Sequence, residues 1–211
     1  MKIGVIIPDR GDRPKFTEKC LEFISRQTLQ PDFIELVNDK PKNKDVDVTL
    51  RYKLGYTRLS EKGADVIIFI ENDDWYCDNY IKIMVSKWVE FDRPLMLGLN
   101  KTIYYHVNAK RYCELLHYGH SSAMSMVIAG GRIFDFGKDN NPFLDIYLWK
   151  KYKGLLFHLD KNINLGIKHG IGLSGGAAHD ANWKGYKHED LSGDYLKNIV
   201  GENDYNFYCS L

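Results

Sequence analysis

The residues best suited to chemistry lie in one short segment, where three carboxylates follow an apolar run. Residues 66–70 are apolar, and Glu71, Asp73 and Asp74 come directly after them. Crowded carboxylates repel one another, a divalent cation removes that cost, and such hard oxygen ligands suit Mg²⁺ or Mn²⁺. The alternative is a solvated acidic turn that caps the following helix. Because open α/β sheets bind ligands beyond the carboxyl ends of their strands, the apolar strand favours a ligand site.

A second unusual segment is rich in glycine. Five glycines lie between residues 166 and 176, and two histidines, His169 and His179, lie in or near the segment. Such a loop can bring backbone N–H groups close to phosphate oxygens. It is not a P-loop, because the pattern Gly-x-x-x-x-Gly-Lys-Ser/Thr is absent. We expect a phosphate-binding lid that orders when a donor binds and excludes water.

Elements that can position these residues are clearest in the first half of the chain. The apolar runs at 3–7, 33–37 and 66–70 are typical of buried parallel strands. Helical spacing of apolar residues predicts helices at 14–26 and 51–62 and a third helix after residue 76. The order strand–helix–strand predicts that the first two strands are parallel neighbours.

The second half of the chain shows a different pattern. Short strands are predicted at 95–99, 102–107, 111–116, 122–129 and 155–159, with a short helix at 142–151. After residue 178 the chain reads as a polar tail with little periodicity. We predict an α/β fold in which one mixed sheet is flanked by helices, parallel in its N-terminal half and antiparallel in its C-terminal half. The 1–211 chain would form a single domain, with one half at 1–91 and a second half at 92–211.

Composition excludes several classes of protein. The chain has 211 residues, with 29 Lys and Arg against 28 Asp and Glu, so its net charge is +1. This balance gives no overall attraction to nucleic acid or acidic membranes. The four cysteines form no Cys-x-x-Cys pair, and no apolar run reaches the ~20 residues of a membrane helix. We therefore expect a cytoplasmic protein without stable membrane insertion.

The segment from Glu71 to Tyr76, Glu-x-Asp-Asp-Trp-Tyr, resembles the DxD region of GT-A-fold glycosyltransferases, especially the family-2 class. Glu71 stands where that class has Asp, which keeps the carboxylate. The resemblance implies a small single-domain enzyme, with a nucleotide-sugar-binding half at 1–91 and an acceptor-binding half at 92–211, in which Asp73 binds the metal directly. It also implies that Glu71 contacts the sugar nucleotide, or the metal through water, with Asn72 beside them at the donor site.

The resemblance extends towards the N-terminus. Pro8, Asp9 and Arg10 match the polar loop that meets the nucleotide in that class, and Asp39 matches the carboxylate that binds the base. Arg58 loosely matches the Arg before the DxD strand. Arg51, Lys53 and Arg58 are candidates for phosphate binding, although surface solvation is the favoured role for any one of them.

The second half contributes candidates for the base and for a further metal ligand. Similar enzymes use an Asp as general base, and Asp145 is the best match, with Asp135 and Asp139 as fallbacks. The alternative for Asp145 is an interaction with the helix dipole. A late His supplies a metal ligand in several GT-A enzymes, which makes His169 and His179 candidates, and Lys168 would then lie near the leaving diphosphate. Structural or solvated roles for these histidines stay open.

The predicted function is metal-dependent transfer of a sugar from a nucleotide-diphosphate sugar, with inversion. A nucleotidyltransferase is less favoured, because those enzymes usually have a Gly-rich loop after the first strand and the segment 8–13 has one Gly. A non-catalytic nucleotide- or glycan-binding module is the third interpretation. The acceptor stays open between a glycan, a lipid-linked glycan and a modified DNA base.

Overall fold

A computed structural model describes residues 1–39, 46–170 and 177–211. Within these ranges the strands are β1 (Ile3–Pro8), β2 (Phe33–Val37), β3 (Val66–Phe69), β4 (Trp75–Tyr76), β5 (Met96–Leu99), β6 (Lys101–His106), β7 (Arg111–Leu116), β8 (Met126–Ala129), β9 (Leu155–Phe157), β10 (Asn164–Lys168) and β11 (His188–Glu189). The helices are α1 (Pro14–Ser25), α2 (Val48–Glu61), α3 (Tyr80–Glu90), α4 (Leu144–Lys151), α5 (Asp194–Val200) and α6 (Glu202–Cys209). Short 3-10 turns lie at Ala123–Ser125 and Ala177–His179.

The first sheet has six strands in the order β2-β1-β3-β8-β5-β9. β1 pairs in parallel with both β2 and β3, as the strand–helix–strand pattern predicts. β8 is antiparallel to β3 and to β5, and β9 is parallel to β5. The predicted parallel N-terminal half is therefore confirmed. Because β1, β2 and β3 are parallel, their carboxyl ends lie at the same edge of the sheet. Such edges are where open α/β sheets bind ligands.

Two cores cover the two faces of this sheet. Consecutive residues of β1 point to opposite faces of the sheet, so Val5 and Ile6 belong to different clusters of buried side chains. One core contains residues of α1 and α3, and the other contains residues of α2 and α4. The central strands are buried on both faces, which explains why their sequences are continuous apolar runs.

A second sheet contradicts the prediction of one mixed sheet. It has five strands in the order β11-β7-β6-β10-β4, and β6 and β7 form the expected antiparallel hairpin. β10 pairs in parallel with β6 and antiparallel with β4, so the second half is not purely antiparallel. These pairings join residues far apart in the chain, and local periodicity does not encode them.

The predicted Gly-rich loop begins in fact as strand β10. The strand carries Gly166 in a fully buried run, and a Cβ at this position would lie 2.4 Å from Cδ1 of Tyr104. The glycine therefore marks a close approach between two strands and does not mark a loop. Residues 171–176, which complete the predicted lid, lie outside the described residues, so the lid stays a prediction.

The C-terminal segment is also more ordered than its sequence suggests. The predicted polar tail contains β11, α5 and α6, and Gly201 separates the two helices with a φ of 83°. Leu196, Val200 and Tyr208 anchor the helices in the core. Helices of seven and eight residues carry too few apolar anchors to show a helical period.

The helices are short compared with a membrane span. The longest one described, α2, has 14 residues. Throughout the described ranges, no helix combines the length and apolar character needed to cross a membrane.

Candidate active site

A cleft at the carboxyl ends of β1 and β3 contains most of the predicted site residues. It consists of two adjoining cavities that share the side chains of Glu71, Lys168 and His179. The first cavity is also lined by Pro8, Arg10, Arg13, Asn72 and Asp73. The second cavity is also lined by Tyr104, Phe143, Asp145 and Trp183.

The acidic cluster lies where the two sheets meet, because β4 follows it at once and pairs with β10. Ligand atoms of Glu71, Asp73 and Asp74 all lie within 4.8 Å of one another. Asp73 and Asp74 are buried, and Glu71 is half-buried. Three carboxylates at this spacing repel one another strongly. The protonation state of each carboxyl therefore depends on its burial and on the cations around it.

Asp73 is held ionised by cations. Its Oδ2 accepts a hydrogen bond from Nη1 of Arg13 at 2.6 Å and lies 3.2 Å from Nε2 of His169. Burial alone would raise the pKa of Asp73, but the hydrogen bond to His169 and the charges of Arg13 and Lys168 hold that pKa well below its ordinary value. Asp73 is therefore a carboxylate across the physiological range.

Asp74 faces the second sheet. Its Oδ1 accepts the backbone N–H of Ile167 at 2.9 Å and lies 4.0 Å from Nζ of Lys168. Its Oδ2 is buried and has no hydrogen-bond partner among the described residues. Burial raises the pKa of Asp74 well above its ordinary value. This residue ties the acidic turn to β10.

Glu71 is the member of the cluster shared by both cavities. Its backbone N–H donates to the hydroxyl of Tyr76 at 2.8 Å, which fixes the turn. Burial raises the pKa of the Glu71 carboxyl to about 7, and the charge of Lys168 opposes that rise. Glu71 therefore exchanges its proton near neutral pH.

Lys168 is a buried cation between the two cavities. Its Nζ lies 4.8 Å from the ring centroid of Tyr104, in cation–π contact. Burial lowers the pKa of Lys168, but the carboxylates of Asp74 and Glu71 more than compensate, so the pKa is raised above its ordinary value. The ammonium group stays charged and is available to an anion in the cleft.

The two candidate histidines have different surroundings. His169 is buried against Phe16, with ring centroids 4.5 Å apart, and its Nε2 is directed at Asp73. The ring of His179 lies 6.4 Å from that of His169, and its buried Nδ1 has no hydrogen-bond partner in the described part of the chain. Burial and the charge of Lys168 lower the pKa of His179 to about 4. His179 is therefore neutral at pH 7, the form that binds metals.

Asp145 lies in the wall of the second cavity, which Glu71 of the acidic cluster also lines. It stands in the first turn of α4, where the helix dipole favours a negative charge. Burial nevertheless raises the pKa of Asp145, and the charge of His120 opposes that shift. A carboxylate with a raised pKa at the edge of an aromatic cavity has the properties of a proton acceptor.

The loop after β1 is held by the buried side chain of Asp9. Pro8 and Arg10 line the first cavity, whereas Asp9 is buried beneath the loop and its Oδ1 accepts the N–H of Gly11 at 2.9 Å. Arg10 forms an ion pair with Asp47, with Nη1 and Oδ1 2.9 Å apart.

Arg51 is not a solvated surface residue, which corrects the favoured interpretation. It is 3% exposed, and its guanidinium donates to the carbonyl oxygens of Asp9, Val37 and Asp39. It also pairs with Asp47 at 2.9 Å. Arg51 therefore binds the carboxyl ends of β1 and β2 together and shapes the first cavity from inside.

Asp39 and Arg58 lie away from the cleft. Nη2 of Arg58 donates to Oδ1 of Asp39 at 3.0 Å, and Nη1 of the same guanidinium pairs with Glu35. Neither Asp39 nor Arg58 is part of the wall of either cavity as far as the described residues define it. The roles of both residues in base and phosphate binding stay predictions, without geometric support.

The fallback bases are also outside the cleft. Asp135 pairs with Lys151 and accepts a hydrogen bond from Tyr147, and Asp139 pairs with Lys53 at 3.1 Å. Both carboxylates are about half exposed, at 53% each. Of the three candidates for the base, Asp145 is the one beside the cavity.

Arg13 was missed as a site residue. It sits at the N-terminal boundary of α1, and its guanidinium bridges Asp73 and Asn72. The sequence shows only an arginine in a charged loop, and its partner lies 60 residues away. The one available sequence signal is the position of Arg13 after β1, because the ends of β1 and β3 share the sheet edge that carries the acidic turn.

The residues present fit a divalent cation. Carboxylate oxygens and a neutral imidazole nitrogen are ligands that Mn²⁺ accepts, and Mg²⁺ accepts the oxygens. The unpartnered Oδ2 of Asp74 and Nδ1 of His179 show that the polar capacity of the site exceeds what the described residues satisfy. Glu71, Asp73 and Asp74 would hold the ion, because their ligand atoms lie within 4.8 Å of one another, whereas His179 lines the same cavity without belonging to this cluster.

Comparisons with known proteins bear on the fold. No protein-family profile and no curated protein matches the chain. Among solved structures, A197 from STIV matches with a TM-score of 0.51 and 14% identity, over 75% of this chain and 82% of A197. TarS 1-349 from S. aureus in complex with UDP-GlcNAc matches with a TM-score of 0.49 and 13% identity, over 80% of this chain and 59% of TarS 1-349.

A third similar structure is a glycosyltransferase involved in the glycosylation of the major capsid of PBCV-1, with a TM-score of 0.37 and 11% identity. The match covers 61% of this chain and 60% of that enzyme. The chain thus spans less than two thirds of this enzyme and of TarS 1-349. The predicted α/β fold class is confirmed: the described residues form two mixed sheets flanked by helices, and the chain shares its fold with A197 from STIV.

Proposed function

We propose that the chain is a glycosyltransferase that moves a sugar, with inversion, from a nucleotide-diphosphate sugar to an acceptor, and that it uses Mn²⁺ or Mg²⁺. One observation carries the proposal. Glu71 lines both cavities of a cleft at the carboxyl ends of parallel strands, with Asp73 in the wall of the first cavity and Asp145 in the wall of the second. Metal ligands on one side and a proton acceptor on the other are the groups that such a transfer requires.

The first cavity has the charge to hold a diphosphate. Arg10, Arg13 and Lys168 surround it, and Lys168 keeps its charge because carboxylates surround its ammonium group. A divalent ion held by Glu71, Asp73 and Asp74, with His179 of the same cavity as a candidate further ligand, would offset the charge that develops on the departing diphosphate. Lys168 would hydrogen-bond the same leaving group, and its contact with Tyr104 limits the positions its ammonium group can reach.

The second cavity suits the acceptor. Tyr104, Phe143 and Trp183 supply aromatic faces beside Asp145, and such faces stack on sugar rings. Asp145 would take the proton of the attacking acceptor hydroxyl as that oxygen bonds to the anomeric carbon. The bond from that carbon to the diphosphate breaks on the opposite side, so the configuration inverts.

Thermal stabilisation by sugar nucleotides tests the proposal. A panel of nucleoside-diphosphate sugars is added with and without MnCl₂ to wild type, Asp73→Asn, Asp145→Asn and the control Asp160→Asn, whose side chain is fully exposed at a distant turn. At a ligand concentration of 100 Kd, binding adds about 2.7 kcal/mol to the free energy of unfolding. We expect Mn²⁺-dependent stabilisation by at least one sugar nucleotide in all variants except Asp73→Asn.

Turnover then separates the possible functions. We expect slow, Mn²⁺-dependent hydrolysis of the stabilising sugar nucleotide by wild type and by Asp160→Asn, and loss of hydrolysis in Asp145→Asn. Stabilisation without any hydrolysis or transfer would indicate a non-catalytic module, and release of pyrophosphate from a nucleoside triphosphate would indicate a nucleotidyltransferase. Absence of stabilisation by every member of the panel would contradict the proposal.

A further inference from the structure

Arg13 binds one oxygen of a carboxylate in the proposed metal site, and His169 contacts the same oxygen. Nη1 of Arg13 lies 2.6 Å from Oδ2 of Asp73, and its Nη2 lies 3.2 Å from Oδ1 of Asn72. The side chain is 22% exposed and forms part of the wall of the first cavity. The guanidinium is therefore a counter-charge of Asp73, and it lies in the wall of the cavity proposed to hold a diphosphate.

The backbone under Arg13 is fixed, so only the side chain needs to move. The carbonyl oxygen of Arg13 accepts the N–H of Phe16 at 3.1 Å, which starts α1. The N–H of Gly11 is held by Asp9, and the N–H of Asp9 bonds the carbonyl oxygen of Val37 at 3.1 Å. A guanidinium can leave Asp73 by changing rotamer while these hydrogen bonds stay intact.

Two cations compete for one carboxylate in this geometry. A divalent ion bound to Asp73 would face the Arg13 guanidinium at contact distance, and the repulsion would be strong in a partly buried site. A diphosphate in the first cavity supplies the anionic partner that Arg13 loses. Guanidinium groups bind phosphate oxygens in the same two-pronged manner as they bind the oxygens of Asp73 and Asn72.

We propose that Arg13 is a transferable counter-cation: it neutralises Asp73 before the ion binds, and it moves to the donor's diphosphate when the ion takes its place. The inference rests on the proposed function and adds a positioning residue that couples two ligands. Metal alone binds weakly because it must displace Arg13. Metal and diphosphate bind cooperatively because the released guanidinium finds a new anion, and this coupling is reciprocal.

Binding of Mn²⁺ alone tests the first half of the proposal. The free-Mn²⁺ signal in electron paramagnetic resonance is titrated with wild type, Arg13→Gln, Arg13→Lys and Asp73→Asn. The matched control is Lys15→Gln, which removes one positive charge from an exposed position two residues away. We expect Arg13→Gln to bind Mn²⁺ ~10-fold more tightly than wild type, equivalent to about 1.4 kcal/mol. Lys15→Gln should match wild type within about two-fold, and Arg13→Lys should lie between the two.

Binding of the diphosphate tests the second half. UDP, GDP and dTDP are titrated separately by calorimetry into each variant, with and without saturating Mn²⁺. We expect Mn²⁺ to increase the affinity of wild type for the preferred nucleoside diphosphate, and we expect the increase to be ~10-fold smaller in Arg13→Gln. Circular dichroism and melting temperature verify that each variant is folded, and Arg13→Lys provides the comparison that keeps a charge at this position.

The outcomes distinguish this proposal from the proposed function. If Asp73→Asn abolishes Mn²⁺ binding while Arg13→Gln binds Mn²⁺ no more tightly than wild type, the counter-cation role of Arg13 is wrong and the metal site stands. If tighter Mn²⁺ binding in Arg13→Gln comes with unchanged coupling to the diphosphate, the transfer step is wrong. If wild type and every variant fail to bind Mn²⁺ with or without a diphosphate, the metal site of the proposed function fails together with this inference.

Discussion

The carboxylate of Asp74 connects the two sheets, because its Oδ1 accepts the backbone N–H of Ile167 at 2.9 Å across a separation of 93 residues. The same oxygen lies 4.0 Å from Nζ of Lys168. Asp74 thereby places the end of β10, with Lys168 and His169, against the acidic turn after β3. The geometry of the cleft depends on this one buried carboxylate.

Removing that carboxylate should destabilise the protein. Asp74→Ala leaves the buried N–H of Ile167 without its acceptor and removes buried side-chain volume beside Lys168, which costs about 3 kcal/mol. For a chain of this size the melting temperature should fall by roughly 6–12 °C. The control Glu61→Ala removes an exposed carboxylate at the end of α2 and should change stability by less than ~0.5 kcal/mol. Equal melting temperatures for Asp74→Ala and wild type would show that Asp74 does not join the sheets.

Glu71 should make the stability of the metal-free protein depend on pH. Burial raises its pKa in the folded state to about 7, whereas the pKa in the unfolded chain is about 4.3. Between these values the folded state retains a proton that the unfolded state has lost, so this carboxyl lowers the free energy of unfolding as pH rises from about 4.3 to 7. Above about 7 the effect is complete.

The test is the difference in melting temperature between Glu71→Gln and wild type, measured in EDTA from pH 5 to pH 8. We expect the advantage of Glu71→Gln to grow up to about pH 7 and then to level off. Glu61→Gln serves as the control and should show no such trend. A constant difference across the range would mean that Glu71 has an ordinary pKa and is not desolvated.

Much of the N-terminal half could be predicted from the sequence. The apolar runs at 3–7, 33–37 and 66–70 each became a strand of the first sheet, because strands buried on both faces leave a continuous apolar signature. The acidic cluster follows from the same logic, since the residues after a buried parallel strand lie at the ligand edge of the sheet.

The rest depends on contacts that local patterns do not encode. In the sequence, Arg51 is one arginine on a predicted helix. It is buried because α2 packs against the ends of β1 and β2, where its guanidinium donates to the carbonyl oxygens of Asp9 and Val37. The glycine-rich sequence predicts a loop at Gly166, but this residue belongs to strand β10 and packs against Tyr104. The partnership of Arg13 with Asp73 requires the three-dimensional position of both β1 and β3.

Asp204 should hold the C-terminal helix to the body of the protein. Its carboxylate contacts Nζ of Lys19 at 2.7 Å, Nη2 of Arg26 at 2.9 Å and Nε1 of Trp75 at 3.0 Å. Burial would raise the pKa of Asp204, but the hydrogen bonds from Arg26, Lys19 and Trp75 outweigh it and lower the pKa. A lowered folded pKa gives stability that is present above the unfolded pKa of about 3.9 and is lost as pH falls below that value.

We expect Asp204→Asn to lower the free energy of unfolding by about 2 kcal/mol at neutral pH, because Lys19 and Arg26 lose their buried anionic acceptor, although both keep Glu22 as a partner. Urea unfolding measured from pH 3 to pH 8 checks this, with the difference from wild type constant above about pH 5 and shrinking below about pH 4. The control Glu202→Gln alters an exposed ion pair on the same helix and should cost less than ~1 kcal/mol. A pH-independent difference would contradict the ionic role of Asp204.

Asp145 should affect turnover and leave donor binding intact. As a general base it contributes ~10²–10⁴-fold to the rate, so Asp145→Asn should lower kcat by that factor. The affinity for Mn²⁺ and sugar nucleotide should change by less than about two-fold, since the residue lies on the acceptor side of the cleft. Because burial raises the pKa of Asp145, kcat of wild type should fall on the acid side as this carboxyl takes up a proton.

Asp135→Asn and Asp139→Asn are the matched controls, because both carboxylates are exposed and ion-paired outside the cleft. Each should retain kcat within about two-fold of wild type. Loss of turnover in either variant, together with normal turnover in Asp145→Asn, would reverse the assignment of the base.

The most direct measurement of the central claim is anomalous X-ray scattering from crystals soaked with MnCl₂ and a sugar nucleotide. The account predicts a manganese peak within coordination distance of Asp73, beside Glu71, with diphosphate density between the peak and Lys168. An acidic turn without a peak, at a manganese concentration that saturates binding in solution, would contradict the claim that these carboxylates hold the donor's metal.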